Sequence, residues 1–82
     1  MRDITTEIED IITYVTGENA LVDEPNHLDI DLFENFILNE YNYIEVLVEI
    51  RHRIGVYIAP SAIAPSDMST IRKLIALVEA SS

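Results

Sequence analysis

The sequence predicts a small all-α bundle with three main helices, one short helix and a long first loop. Three observations carry this. Apolar residues recur at helical spacing in three separate stretches, glycine or proline punctuates each stretch, and no run of alternating apolar and polar residues has a partner to pair with. With 82 residues, 49% of them apolar, the chain forms one expected domain, 1–82, whose core is small but sufficient for folding.

The first helix is expected over residues 4–16. Ile4, Ile8, Ile11, Ile12 and Val15 share a face and Gly17 stops the run. Thr6 and Glu9 have capping-box spacing, and Asp3 is an alternative N-cap. Residues 17–35 are mostly polar and include Pro25, so they read as a long loop, with Leu21, Leu28, Ile30, Leu32 and Phe33 available as anchors.

The second helix is predicted from Glu40 to Ile54, capped by Asn39 and closed by Gly55. On a wheel of about 100° per residue, Tyr43, Val46, Leu47, Ile50 and Ile54 form one apolar sector, the core face. Tyr41, Ile44 and Val48 form a second sector, separated from the first by Arg51 and rimmed by Glu45 and Glu49. A bundle this small cannot bury both. Either the first loop folds over the second sector, or Tyr41, Ile44, Glu45 and Val48 make an exposed partner-binding patch.

Val56-Tyr57-Ile58 is a short apolar run without a partner strand, and residues 61–65 allow at most one helical turn before Pro65. Ser69 or Thr70 then caps a last helix that offers Ile71, Leu74, Ile75, Leu77 and Val78 to the core.

Charge is uneven as well as large. The chain carries 15 acids against 5 bases, a net charge of −10. Residues 1–49 hold thirteen acids against Arg2 alone, a net −12, whereas residues 50–82 hold four bases against two acids, a net +2. Such a surface repels nucleic acid and anionic lipid and steers toward basic protein surfaces. No apolar stretch reaches the roughly 20 residues of a membrane span and no signal-type run is present, so a cytoplasmic, monomeric protein is expected.

Catalysis has few candidates. Cysteine is absent, no serine lies in a Gly-x-Ser-x-Gly context, and His27 and His52, flanked by polar residues, read as solvated surface histidines. Asp29, Asp31 and Glu34 are grouped, but no glycine among them provides the sharp turn of a calcium loop, and no metal site is expected. The chain is expected not to be an enzyme.

The order of elements and the run Asp31-Leu32-Phe33-Glu34-Asn35-Phe36-Ile37-Leu38-Asn39-Glu40 resemble acyl and peptidyl carrier proteins, in particular the stand-alone D-alanyl and aryl or pyrrolyl carriers. So do Ile44-Glu45-Val46-Leu47-Val48-Glu49-Ile50 and the following Arg-x-Arg-Ile-Gly-Val. The resemblance implies a four-helix carrier-type bundle, a 4′-phosphopantetheine arm on a serine at the start of the second helix, and partners that read that helix's exposed face. It also implies that Glu40 stands where the serine would be, after Asn39 in place of an aspartate, with Phe36 replacing a glycine and Tyr41 a smaller residue. No serine or threonine occurs between Leu28 and Ile58, so no arm is expected on the chain as written.

On that resemblance, Glu40 either begins a helix well, its charge favoured by the helix dipole, or stands in for the missing phosphate toward a partner. The reading that follows is a non-catalytic docking or regulatory module for a biosynthetic or acyl-activating enzyme. The alternatives are a thioester-shuttling carrier present here without its serine, and a small helical interaction protein unrelated to carriers.

Overall fold

A computed structural model describes residues 3–17 and 26–81. Within them the chain folds as three helices, α1 (Ile4–Thr16), α2 (Asn42–Ile54) and α3 (Ile71–Ser81). Short 3-10 turns lie at His27–Asp29, Pro60–Ala62 and Pro65–Met68, and no strand is present among the described residues. The single short helix of the sequence reading is thus two turns, because Ile63 and Ala64, which precede Pro65, are extended and interrupt it. Residues 18–25, which hold Leu21 and Pro25 of the first loop, lie outside the described residues.

α1 begins at Asp3, whose carboxylate accepts from the N–H of Thr5, so Asp3 is the cap rather than Thr6. It ends at Gly17, left-handed at φ 71, with its N–H returned to the Thr13 carbonyl. Ile8, Ile11 and Ile12 are buried. They meet Val46, Leu47 and Ile50 of α2 and Ile71, Leu74 and Val78 of α3 in one core. α1 packs on both other helices. Thr70 caps α3 by accepting the N–H of Lys73, while the Ser69 hydroxyl instead donates to the Ser66 carbonyl.

The segment before α2 is ordered by its own polar groups. Asp31 Oδ1 accepts from the N–H groups of Phe33 and Glu34. The Leu32 N–H donates to the Ser69 carbonyl at 2.7 Å, pinning this turn to the approach of α3. Leu32 and Leu38 are buried in the core. Asp29 pairs with Arg72 of α3 at 2.7 Å, and the guanidinium holds the Asp29 carboxyl below its ordinary range.

His27 corrects the sequence reading. It is half-buried and its Nε2 lies 2.8 Å from Glu9 Oε1, which ties the 27–29 turn to α1. Eighteen residues separate the partners, so local composition gave no sign of the contact.

Candidate docking surface at helix two

Asn39 and Asn42 build the start of α2 reciprocally. Asn39 Oδ1 accepts from the N–H groups of Tyr41 (2.8 Å) and Asn42 (3.0 Å), while Asn42 Oδ1 accepts from the Asn39 N–H at 2.7 Å. This is a capping box with an amide at its third position. Regular helical geometry begins at Asn42, two residues later than predicted, yet the capping side chain is the predicted Asn39. Glu40 follows the cap directly and is exposed.

Phe36 sits in the turn just upstream with φ 60, the single non-glycine residue in the left-handed region among those described. The Ile37 N–H returns to the Leu32 carbonyl and the Phe36 N–H to the Phe33 carbonyl. That pair of bonds is the Schellman closure, whose left-handed position normally takes glycine. Phe36 is also 92% exposed. The resemblance implies a glycine at this position. The exposure and left-handed backbone of Phe36 were not legible in the sequence.

The two faces of α2 separate as predicted. Val46, Leu47 and Ile50 are buried, with Tyr43 and Ile54 packed at the edge of the core. Tyr41, Ile44 and Val48 are 77%, 40% and 47% exposed, and Glu45 is exposed beside them. Among the described residues, nothing folds over this second face.

Ile44 and Val48 form a ridge between two depressions. On one side, about 300 Å³ is bounded by Tyr14, Val15, Glu45 and Glu49. There Arg53 stacks over the Tyr14 ring at 4.8 Å and pairs with Glu49 at 3.0 Å, which joins α2 to α1. On the other side, a groove of about 580 Å³ runs between α2 and residues 57–60 and includes Arg51 and His52. That groove depends on the approach of residues 57–60 to α2, which no helical wheel contains.

Asp29, Asp31 and Glu34 do not gather into a metal site. Asp29 is held by Arg72, Asp31 by backbone N–H groups, and no metal-binding cluster is present among the described residues. No helix among them is long and apolar enough to cross a membrane.

A D-alanyl carrier protein of Lactococcus lactis subsp. lactis is 33% identical over 73 residues, covering 89% of each chain. The chain belongs to the family of stand-alone carrier proteins. D-alanyl carrier protein 1 of Lactiplantibacillus plantarum is 28% identical over 79 residues, or 96% of this chain and 94% of the relative. The D-alanyl carrier protein of Lacticaseibacillus casei is 32% identical over 76 residues, or 93% of this chain and 90% of the relative. No family model matches the chain.

Membership makes the chemistry at the start of α2 the decisive question for this carrier-family chain. Covalent attachment of a phosphopantetheine arm forms a phosphodiester on a hydroxyl, and the resemblance implies Glu40, a carboxylate, at the position of that hydroxyl. With no serine or threonine between Leu28 and Ile58, the residues at this end of α2 do not fit the arm.

Proposed function

We propose that this chain serves the transfer of activated acyl or aminoacyl groups as a non-catalytic, cytoplasmic docking domain that partners recognise through α2. Carriage as the role of the scaffold is supported by the relatives, which are D-alanyl carrier proteins. That support favours a carrier ancestry over a purely regulatory one. A form of this chain with serine at position 40 would be a carrier shuttling a thioester-bound group. The chain as written, with Glu40 after the Asn39 cap, docks without cargo.

The observation that carries the docking reading is the exposed ridge of Tyr41, Ile44 and Val48 beside Glu45, directly after Glu40. An apolar ridge with an acidic rim suits a partner with an apolar recess and basic margins, such as an enzyme that activates an amino acid or acyl group. Glu40 adds a fixed negative charge at the helix N-terminus, where the dipole stabilises it.

The first test is intact mass after incubation with coenzyme A and a broad-specificity phosphopantetheinyl transferase. The parent is expected to stay unmodified and Glu40→Ser to gain the arm. Modification of the parent would overturn the assignment of position 40. The second test replaces Ile44 with Glu. Binding to an amino-acid-activating ligase of the D-alanyl type should weaken by at least about tenfold, roughly 1.4 kcal/mol, with the thermal midpoint little changed. Undiminished binding would remove the ridge from the interface.

A further inference from the structure

The groove between α2 and residues 57–60 has a charge pattern unlike the rest of the chain. Its apolar lining includes Leu47, Val48 and Ile58, and its polar lining includes Arg51 and His52, with no acid. This occurs in a protein with 15 acids and 5 bases.

The other described bases are engaged. Arg53 bonds Glu49, Arg72 bonds Asp29, and the Lys73 ammonium donates to the Ser66 carbonyl and the Ser69 hydroxyl. Arg51 alone among the described arginines and lysines has no oxygen partner. Its guanidinium lies over the Tyr57 ring, 5.2 Å from the centroid. Stacking restricts the plane of the fork and leaves its N–H edge able to donate two parallel bonds to a carboxylate or phosphate. The volume of about 580 Å³ is that of a small-molecule site.

We propose that this groove binds a small organic anion with an apolar body. The anionic head, a carboxylate or phosphate ester, pairs with Arg51, and the body lies on Leu47, Val48 and Ile58. Binding is weak for two physical reasons. The carbonyl end of α2 lies close to Arg51, and the net charge of −10 opposes any approaching anion. The groove shares Ile44 and Val48 with the docking ridge, but binding there needs neither a partner nor a particular residue at position 40.

The test is an amide chemical-shift titration of the isotopically labelled chain alone, with hexanoate and hexyl phosphate as anionic probes and 1-hexanol as the neutral one. Saturable shifts centred on residues 47–60 are expected with the anions, at a dissociation constant on the order of 1 mM. A stronger response to hexanoate or to hexyl phosphate identifies the preferred head. Hexanol and the Arg51→Gln variant should each bind at least about tenfold more weakly, while Arg51→Lys retains part of the affinity. An absence of saturation, equal binding of hexanol, or undiminished binding by Arg51→Gln would overturn the proposal. Since no ligase or transferase is present, none of these outcomes bears on docking through the Ile44 ridge.

Discussion

Phe36 bears two costs at once. A left-handed backbone strains a side-chain-bearing residue by roughly 1–2 kcal/mol, and its ring gains almost nothing from burial at 92% exposure. The Schellman closure around it requires that conformation, since the bonds to the Leu32 and Phe33 carbonyls form only when the chain reverses there. Replacing Phe36 with glycine should therefore stabilise the domain by about 1 kcal/mol, read as a higher midpoint in chemical denaturation. A fall in stability would mean that the ring makes contacts which outweigh the strain. His27 shows the reverse situation at the same scale. A residue that reads as solvated is held by Glu9, and only the folded chain brings the two together.

At the scale of elements, the start of α2 depends on two asparagines rather than on the usual hydroxyl or carboxylate. Asn39→Ala removes the acceptor for two N–H groups, while the backbone N–H of residue 39 can still donate to Asn42 Oδ1. A loss of about 1 kcal/mol is expected, measurable as a lower thermal midpoint with retained helical circular dichroism. The same box fixes the path of residues 39–42. Asn42 reaches back to the Ile37 carbonyl at 3.2 Å, so the cap also joins α2 to the turn that carries Phe36. Backbone geometry at Glu40 and Tyr41 is thus set from both sides, and a serine introduced at position 40 would inherit a preformed helix start.

For the whole molecule, self-repulsion in residues 1–49, whose net charge is −12, is an unfavourable electrostatic contribution to folding. Moving from low salt to roughly 0.15 M shortens the screening length to about 8 Å, and stability should rise by about 1 kcal/mol. For a domain of this size that is about 4–8 °C in the thermal midpoint. A midpoint indifferent to salt would show that local ion pairs already compensate the field. The helices and their caps were legible because Gly17, Asn39 and Gly55 act locally and the apolar spacing of each helix matches its buried face. The exposed Tyr41, Ile44 and Val48 followed from the same geometry, since one helix cannot bury two sectors in so small a bundle. The extended break at Ala64, the His27–Glu9 contact and the Arg51 groove arise from the approach of distant segments, and no periodicity encodes them.

The stacking of arginine on tyrosine has an optical consequence. The chain has four tyrosines and no tryptophan, so its near-ultraviolet emission comes from phenol rings. Tyr14 lies beneath Arg53 between α1 and α2, Tyr57 lies beneath Arg51 on the wall of the groove, and Tyr43 packs near Phe33 at 6.4 Å. Tyr41 stands on the outer ridge. Phenylalanine at all but one of these positions would leave a single intrinsic fluorophore reporting on one surface without any attached dye: position 57 for the groove, position 41 for the ridge.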